Sequence, residues 1–379
     1  MRIGLRIFAA SLSLAASVIA VQTFRNARAL PVARRVPQQE RHDDLDCTVS
    51  VLLPVRDESA NIRRCLPSLL RLVGQTQIVV LDDHSTDDTA DTARDLTHGD
   101  PRALVISSET DEVPAGWLGK PWACERLAQV ATGEVLAFVD ADVTLDPSAL
   151  VSAVSLMREL NVDMICPYPL QQTSTPLTRL VQPLLQWSWL ALIPLATSMD
   201  RQWPSMAVGN GQFALFDAAA YRAVGGHNAV AGDVLEDVGL ARALRRAGYR
   251  TAVVDGSQIA TCRMYETDHE LIDGYSKSLW AASGSEAGAL AVAGILKLLY
   301  VVPPVLTLAS RNRTVKAWGL LGYCAGVTSR VLVARRTGQR VWPEALTQPL
   351  SIMAFSGLTV VSIWRHRRGQ ITWKGRTLP

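Results

Sequence analysis

The chain has 379 residues, of which 48% are hydrophobic, and its net charge is +3. A mean hydropathy of +0.14 is high for a soluble enzyme, and the apolar excess is concentrated at the two ends of the chain. The positive charge comes from basic clusters beside those ends, which suits an anionic lipid surface and gives no argument for a nucleic-acid partner. The six dispersed cysteines are typical of reduced thiols in the cytosol.

The first predicted element is an N-terminal transmembrane anchor over residues 1–24, because 7–24 is an apolar run about long enough to cross a bilayer. Arg2 and Arg6 precede this run, and a larger basic cluster follows it: Arg25, Arg28, Arg34 and Arg35. The positive-inside rule therefore places the following domain in the cytoplasm. Residues 25–46 are polar and basic, which predicts a linker.

Residues 47–285 are predicted to form an α/β domain, because β-rich runs alternate with helical patterns and so favour a mostly parallel sheet. Three of the predicted strands end in acidic residues, namely Asp57 with Glu58, Asp83, and Asp140 with Asp142. Ligands bind at the carboxyl ends of the strands in such sheets. Three acidic strand ends at one edge are hard to explain by solvation alone, so we expect a ligand site there.

The segment Asp140-Ala141-Asp142 follows an apolar strand and predicts a metal site. Hard divalent cations prefer carboxylate oxygens, and Mg²⁺ typically uses one or two of them together with substrate phosphates. The hypothesis is therefore a cation that holds a diphosphate. The alternative interpretation is an ordinary pair of surface carboxylates.

Two further segments carry polar groups that need a structural or a chemical explanation. Glu236 and Asp237 open a predicted helix after a glycine-containing loop, either as catalytic carboxylates or as partners of the helix dipole. Gly209, Asn210 and Gly211 precede a predicted strand. Their glycines permit close approach of a ligand on the acceptor side, although a plain hairpin turn is the alternative.

These motifs resemble, in their order and spacing, the family 2 inverting glycosyltransferases of the GT-A fold. The resemblance covers about residues 49–280 and rests on five segments: 54–58, 82–87, 119–123, 140–142 and 236–237. Two details, Asp83-His84-Ser85-Thr86-Asp87 and Gly116-Trp117-Leu118-Gly119-Lys120, are similar to the membrane-bound branch that includes hopene-associated and carotenoid glycosyltransferases.

The resemblance implies a role for each matched residue. Pro54, Asp57 and Glu58 would line the base and ribose pocket, and Asp83 would accept the N3–H of a uracil-like base. Lys120 would approach the base or the diphosphate. Asp140 would contact the ribose or the metal, and Asp142 would bind the metal. Asp237, beside Glu236, would be the general base. The implied cofactor is Mg²⁺ or Mn²⁺. Helix capping by Asp57 and Glu58, and a solvated loop cation at Lys120, are the alternatives.

Residues 275–280 stand where processive relatives carry Gln-x-x-Arg-Trp, and only Trp280 is kept. The missing residues predict transfer of a single sugar rather than polymer synthesis. Lys277 either supplies the lost positive charge near the diphosphate of the nucleotide sugar or is a surface lysine.

The apolar segment 177–195 carries Trp187 and Trp189, which predicts an interfacial helix, since tryptophan prefers the headgroup level. A core helix of the sheet domain is the alternative. An interfacial helix would lay the acceptor side of the site against the membrane, which fits a lipid acceptor.

The C-terminal part, residues 286–379, is predicted to hold membrane helices and a basic tail, because it contains apolar stretches at 287–309, 317–334 and 345–364. Three full spans would put the tail from Arg365 to Arg376 outside the cell, against its charge. One stretch is therefore predicted to be re-entrant or interfacial, and 287–309 is favoured because Pro303 and Pro304 interrupt it.

The sequence thus predicts a multi-pass plasma-membrane enzyme with a cytoplasmic catalytic domain, which moves one sugar from a nucleotide sugar, favoured as a UDP-sugar, to a lipid such as a carotenoid, a hopanoid or another isoprenoid or glycolipid. A polyprenyl-phosphate glycosyltransferase is the alternative within the same class. A non-catalytic membrane scaffold and a nucleotidyltransferase are the alternatives from other classes.

Overall fold

The computed structural model describes residues 2–37, 46–107, 112–374 and 376–377. Residues 38–45 of the predicted linker, and residues 375, 378 and 379 of the predicted tail, lie outside these ranges. The described chain divides into two compact units, and each is described by itself. A sheet unit contains residues 30–172 and 197–264, and a helical unit contains 1–29, 173–196 and 265–379.

The strands are numbered in chain order: β1 Val49–Val55, β2 Thr76–Asp82, β3 Ala103–Ser107, β4 Val135–Val139, β5 Val143–Leu145, β6 Met164–Tyr168, β7 Leu170–Gln171, β8 Phe213–Asp217, β9 Thr251–Asp255, β10 Ala260–Cys262, β11 Thr372–Trp373 and β12 Arg376–Thr377.

The α-helices are numbered in the same way: α1 Arg2–Ala29, α2 Ser59–Leu69, α3 Thr89–Thr97, α4 Gly119–Val130, α5 Ala149–Glu159, α6 Pro176–Val181, α7 Pro183–Leu192, α8 Leu195–Arg201, α9 Ala218–Ala223, α10 Glu236–Arg246, α11 Asp268–Ser276, α12 Glu286–Tyr300, α13 Val302–Ala309, α14 Arg313–Arg336 and α15 Gln348–Arg367.

The sheet unit is built on a seven-stranded sheet in the order β3-β2-β1-β4-β8-β6-β9. The first four of these strands run parallel, β8 runs antiparallel to both of its neighbours, and β6 and β9 are parallel to each other. The central strands are continuous apolar runs, as expected for strands that helices cover on both faces, and Leu53, Val80 and Val139 are fully buried. This topology confirms the predicted α/β GT-A fold.

The register of the parallel strands determines where the acidic residues meet. Val55 at the end of β1 pairs with Asp82 at the end of β2, and Leu52 pairs with Phe138 near the end of β4. The amide of Asp83 donates to the carbonyl of Val55 across this edge (2.8 Å). The three acidic strand ends therefore lie at one edge of one sheet.

In the helical unit, three segments among the described residues are long and apolar enough to cross a membrane: Ile3–Ala29, Glu286–Ala309 and Arg313–Arg336. A fourth would pass only if α7 and α8 formed one bent span. The stretch 287–309, predicted to be re-entrant because of its two prolines, passes as a span. Pro303 and Pro304 lie in the first turn of α13, where proline is tolerated. The stretch 345–364 does not pass the same test.

Hydrogen bonds fix the directions of these helices. The Ser13 hydroxyl donates to the Trp318 carbonyl (2.6 Å), and Arg336 Nε donates to the Ala27 carbonyl (2.7 Å), so α1 and α14 run parallel. The connection from α13 to α14 is short, which makes this pair antiparallel. Residues 29, 286 and 336 consequently lie at the same end of the three segments.

The helix α15 differs from the three spans in where it begins. Tyr323 Oη, near the middle of α14, donates to the Leu346 carbonyl just before α15 (3.0 Å). At its other end, Arg367 Nε donates to Glu286 Oε2 (2.8 Å) at the start of α12. The helix thus begins partway along the span α14 and ends where the span α12–α13 begins.

An interfacial helix is predicted over 177–195 because tryptophan prefers the headgroup level, and its position relative to a membrane stays a prediction, whereas the surroundings of its two tryptophans are defined. Trp187 is 1% exposed and Trp189 is 6% exposed. Trp187 Nε1 donates to the Ser329 hydroxyl of α14 (2.7 Å), and Asn26 of α1 donates to the Leu190 carbonyl (2.8 Å). The helix α7 therefore packs its tryptophans into the helical unit. Residues 265–285, which the sequence analysis included in the α/β domain, belong to the same helical unit.

Candidate active site

A lysine between two carboxylates lies at the centre of the candidate site. Lys120, in the first turn of α4, places Nζ 2.8 Å from Asp140 Oδ1 and 3.1 Å from Glu236 Oε1. Asp140 follows β4, and Glu236 is the first residue of α10. Three elements that are distant in sequence therefore meet at this ion cluster.

The cluster is sheltered from water, and this determines its charges. Burial by itself would raise the pKa of Glu236, but the Lys120 ammonium outweighs it and holds that pKa below its usual value. Burial likewise opposes the charge on Lys120, and the carboxylates of Asp140 and Glu236 raise its pKa well above the usual value. Lys120 and Glu236 thus both stay charged near neutral pH.

Asp237 has a different environment from its neighbour. The Gly211 amide donates to Asp237 Oδ2 (3.0 Å), and the amide of the next residue, Val238, donates to Oδ1 (2.8 Å). Burial, and then the charge of Glu236, raise the pKa of Asp237 to about 6. Asp237 is therefore mostly ionised at neutral pH but basic enough to accept a proton.

The predicted acceptor-side turn holds Asp237 in place. A Cβ at Gly209 would lie 2.5 Å from the Asp237 carbonyl carbon, so any larger residue would push this turn away. Asn210 between the glycines is 7% exposed, and its Nδ2 is buried without a hydrogen-bond partner. The turn 209–211 thus packs on the first turn of α10.

Asp142 carries an unpaired buried oxygen. Its Oδ1 is inaccessible to water and has no hydrogen-bond partner. Burial, and then repulsion from Asp140 and Glu58, raise the pKa of Asp142 to about 7. A buried carboxylate oxygen without a donor is costly unless a cation or a proton joins it.

Within the part of the chain that the structure describes, no group of three or more His, Cys, Asp or Glu side chains forms a complete metal site. A cation that shares its coordination between one or two carboxylates and a substrate diphosphate needs no such group. The free oxygen of Asp142 fits that donor set. Both oxygens of Asp140, in contrast, lie within 3.0 Å of Lys120 Nζ.

The ends of β1 and β2 form a second part of the site. Asp57 has a positive φ of 50° and accepts the Thr86 amide at Oδ1 (2.6 Å), while its own amide donates to the Ser85 hydroxyl (2.9 Å). Asp83 is 4% exposed, and its Oδ1 lies 3.1 Å from His84 Nδ1. These contacts tie the two loops together at the carboxyl edge.

Glu58 and Pro54 link this second part to the ion cluster. Glu58 contributes to the raised pKa of Asp142, and its Oε2 accepts Asn61 Nδ2 (2.6 Å). Pro54 lines a cavity of about 20 Å³ together with Lys120, Asp140, Gly211, Glu236 and Asp237. This cavity is far smaller than the roughly 300–1,000 Å³ of ligand pockets.

The structure thus brings together all predicted site residues of the sheet unit. Lys277 and Trp280 lie in the helical unit, where Trp280 Nε1 donates to the Lys277 carbonyl (3.0 Å). The Trp280 and His366 rings are stacked, with their centroids 3.7 Å apart. Their predicted role at the nucleotide sugar stays a prediction.

Sequence reasoning missed two residues of the site. His227 lines the same small cavity, and burial lowers its pKa to about 3, so its ring is neutral. Burial, and then the charge of Asp142, raise the pKa of the Cys262 thiol well above its usual value. The position of His227 between a glycine pair and Glu236-Asp237 was an available signal, whereas Cys262 gave none.

Comparison with known families and structures agrees with this geometry. Residues 50–225 match the family described as Glycosyl transferase family 2. The chain therefore carries a family 2 glycosyltransferase domain with the GT-A fold, and the protein is a glycosyltransferase.

Two individual proteins show how far the similarity extends. The 4,4'-diaponeurosporenoate glycosyltransferase of Staphylococcus aureus (strain MRSA252) is 25% identical over 338 residues, which cover 86% of this chain and 87% of that protein. The mannosyltransferase PcManGT from Pyrobaculum calidifontis, solved with GDP-Man and Mn²⁺, has a TM-score of 0.56 at 17% identity and covers 95% of this chain and 99% of its own. The first confirms the resemblance to a carotenoid branch, and the second shares the fold.

Proposed function

We propose that this protein is a membrane-bound inverting glycosyltransferase that moves one sugar from a nucleotide sugar to a lipid. The observation that carries the proposal is the pair Glu236-Asp237 at the carboxyl edge of the sheet. Lys120 fixes the charge of Glu236, while Asp237 keeps a raised pKa of about 6. One carboxylate is thus committed to an ion pair, and the other is available for proton transfer.

Asp237 is the proposed general base. Inversion requires the acceptor hydroxyl or carboxyl to attack opposite the leaving diphosphate, and a hydroxyl must lose its proton in doing so. Each Asp237 oxygen accepts one backbone amide and retains capacity for an acceptor proton. Glu236 is a positioning residue in this proposal, because it holds Lys120 beside Asp140.

Asp142, with Asp140, would hold the divalent cation, Mg²⁺ or Mn²⁺. When bound, the cation would offset charge on the leaving diphosphate. Lys120 supplies a second positive charge from the protein itself, 2.8 Å from Asp140. Because the cavity around Lys120 holds about 20 Å³, substrate binding requires groups that line it to move.

The donor is proposed to be a UDP-sugar. Asp83 would accept the N3–H of uracil, and Asp57 and Glu58 with Pro54 would border the base and ribose. Lys277 and Trp280 are also proposed to lie beside the nucleotide sugar, as the sequence predicts. Because PcManGT was solved with GDP-Man, GDP-mannose is the competing donor to be tested.

The acceptor is proposed to be a lipid that approaches Asp237 past Gly209, Asn210 and Gly211. Two facts support this. The S. aureus relative bears the name of an enzyme that glycosylates 4,4'-diaponeurosporenoate. In this chain, three apolar segments could bring the protein to a membrane.

The activity is tested with the full-length protein in nanodiscs, supplied with a cell lipid extract and with UDP-glucose, UDP-N-acetylglucosamine or GDP-mannose. We expect release of the nucleoside diphosphate and a new lipid heavier by one sugar in mass spectrometry. Release of pyrophosphate would identify a nucleotidyltransferase, and a sugar on polyprenyl phosphate would identify the alternative acceptor. No turnover of any donor would support a non-catalytic scaffold.

The proposed topology is that residues 29, 286 and 336 face the cytoplasm together with the C-terminal tail. Positive charge after α1 supports this orientation. The contact between Arg367 and Glu286 places the end of α15 beside the start of the span α12–α13 (2.8 Å). With three spans, and with α15 beginning partway across the bilayer, the basic tail stays on the cytoplasmic side of the plasma membrane.

Cysteine labelling in intact cells tests this topology. In a background with Cys324, an exposed cysteine, replaced by Ser, an impermeant maleimide should label Arg311→Cys, in the loop between α13 and α14. It should not label Thr377→Cys until the cells are permeabilised. Labelling of Thr377→Cys from outside would contradict the proposed tail position.

A further inference from the structure

A depression of about 480 Å³ opens on the sheet unit, on the face of α4 away from Lys120. Lys120 and Cys124 face the catalytic cavity, whereas Trp122, Glu125 and Gln129 line this second space. Its volume lies within the roughly 300–1,000 Å³ that is typical of small-molecule pockets. The catalytic roles proposed above use none of its lining residues.

Two tryptophans form one wall of this depression. The Trp117 and Trp122 rings are 5.2 Å apart with planes at 69°, so they meet edge to face. Such a pair presents rigid apolar surface at low cost in conformational entropy. An apolar ring face of a ligand can pack there while its polar edge points elsewhere.

Polar atoms on the same wall lack partners. Trp122 Nε1 and Glu125 Oε2 are both buried without a hydrogen-bond partner. Unpaired buried polar groups are rare and costly in folded proteins. One is a donor and the other an acceptor, and three positions on a helix place them on one face. A hydroxyl group can serve either atom, because it both donates and accepts.

The opposite rim is fixed by two glycines. Gly225 and Gly226 have positive φ values of 87° and 54°. A Cβ at Gly226 would lie 2.6 Å from the Tyr221 ring, so only glycine lets the loop pack on that ring. The amide of His227, which follows them, donates to the Tyr221 hydroxyl (3.1 Å) and so ties the loop to the same ring.

The depression is lined by one group of each charge, Glu125 and Arg222, so its formal charges cancel and favour a neutral ligand. Glu125 is the acidic group of the wall, and Arg222 donates to the Ala131 carbonyl (3.2 Å). A phosphate or a carboxylate would therefore meet an unpaired carboxylate oxygen. A neutral ligand with adjacent hydroxyls would instead satisfy both unpaired atoms.

The depression also touches the catalytic cavity through a hydrogen bond. Tyr221 lines the depression, and its Oη lies 2.6 Å from Nδ1 of His227, which lines the catalytic cavity. A ligand in the depression would rest one side chain away from the ion cluster.

We propose that this depression is an accessory binding site for an uncharged, hydroxyl-rich ring, that is, a pyranoside. The ring face packs on Trp117 and Trp122, and adjacent hydroxyls bond Trp122 Nε1 and Glu125 Oε2. The proposal rests on the walls of the depression and does not depend on transferase activity.

Saturation-transfer NMR on the full-length protein in nanodiscs tests the proposal, with methyl β-D-glucopyranoside and methyl α-D-mannopyranoside as probes. Saturating UDP and Mn²⁺ are added to occupy the catalytic site. We expect saturable transfer to at least one glycoside in the presence of UDP. Trp122→Phe, which keeps a ring and removes the N–H, should weaken its binding about 5- to 10-fold, as for loss of one hydrogen bond.

Further variants separate the site from general effects. Glu125→Gln, which alters the acceptor, should also weaken the signal, and Trp117→Ala should remove it. Trp203→Phe, at a tryptophan that is 51% exposed elsewhere in the sheet unit, should leave it unchanged. A thermal melt checks that each variant is folded, and Glu125→Gln serves if Trp122→Phe fails this check.

Three results would overturn the proposal. These are no saturable transfer to either glycoside, transfer that UDP abolishes, and transfer that the Trp117 and Glu125 variants leave unchanged. Displacement of the glycosides by uridine would assign the depression to a nucleoside instead.

Discussion

The two units of this protein differ in the side chains that they expose. In the described part of the sheet unit, only three large hydrophobic residues are exposed: Leu104, Val130 and Trp203. The helical unit exposes many, among them Ile3 at 72% and Leu308 at 82%. Both units bury polar side chains, and those of the helical unit include Gln182, Glu344 and Gln348. An apolar exterior over three segments of membrane-spanning length is what a lipid environment favours.

This contrast teaches that buried polar groups serve different purposes in the two units. In the sheet unit, partly buried carboxylates gather at one edge and repel one another, as Asp140, Asp142 and Glu58 do. In the helical unit, buried polar groups join helices, as Trp187 and Ser329 do. Substitutions in the first group should therefore affect activity, and those in the second should affect stability.

The largest expected effect is at Asp142. Asp142→Asn should abolish sugar transfer, because the charge offered to the cation is lost. It should not lower the melting temperature of the apo protein, since burial and the charges of Asp140 and Glu58 already disfavour the ionised Asp142. Transfer assays and thermal melts of the purified variant measure both quantities.

A ligand-induced melt provides the control for this variant. Mn²⁺ with UDP should raise the melting temperature of the unaltered protein by mass action, and Asp142→Asn should lose most of that rise. Full transfer by the variant, or full activity of the unaltered protein in excess EDTA, would refute the metal role of Asp142.

The next effect in size is at Asp237. Asp237→Asn should lower kcat by at least ~100-fold, the low end for a general base, with little change in nucleotide affinity. The pKa of about 6 adds a pH dependence. Because the base must be deprotonated, kcat/KM should fall about tenfold per pH unit below that value, provided that the acceptor nucleophile is a hydroxyl.

Glu236→Gln provides a contrast at the neighbouring position. It should also lower activity, since Lys120 loses one partner at 3.1 Å, but it should keep the acid limb of the pH profile. A variant Asp237→Asn that turns over bound substrate normally and fails to bind nucleotide would instead place Asp237 in the nucleotide pocket.

In the helical unit the ion pair between Arg179 and Glu344 should matter for stability. Arg179 Nε donates to Glu344 Oε1 (2.6 Å), and the Glu344 side chain is 6% exposed. Arg179→Met should cost about 3 kcal/mol in the free energy of unfolding, the low end for breaking a buried pair, because Arg340 remains 3.5 Å from Glu344. Unfolding in detergent measures this loss.

The double variant Arg179→Met with Glu344→Leu sharpens this comparison. It removes both charges and should recover part of the stability, because no buried carboxylate is left unpaired. Sugar transfer per folded molecule should stay unchanged in both variants. A larger loss in the double variant than in Arg179→Met would show that Glu344 stabilises the unit by another contact.

The sequence was sufficient for the features that local pattern controls. The apolar runs of β1, β2 and β4 and their acidic ends were visible, and so was the start of α10 at Glu236. The residues Ser85 and Thr86 do not cap the next helix, because α3 begins at Thr89. The Ser85 and Thr86 side chains are used instead by the loop that contains Asp57.

Features that depend on distant partners could not be predicted. The antiparallel strand β8 enters the sheet between β4 and β6, and no local pattern indicates that order. Lys120 bridges Asp140 and Glu236 only when α4, the end of β4 and the start of α10 come together in the folded chain. The sequence of 177–195 does not show that Trp187 packs inside the helical unit, because its partner Ser329 is distant in the chain.

The smallest predicted effect tests that last point. Trp187→Phe should lower the free energy of unfolding by about 1 kcal/mol, the usual net value of one hydrogen bond, because it removes the indole donor 2.7 Å from the Ser329 hydroxyl. Ser329→Ala should have a similar cost, and the double variant should cost less than the sum of the two. Additive losses in this double-mutant cycle, measured by unfolding in detergent, would mean that the two side chains act independently and that Trp187 does not join α7 to α14.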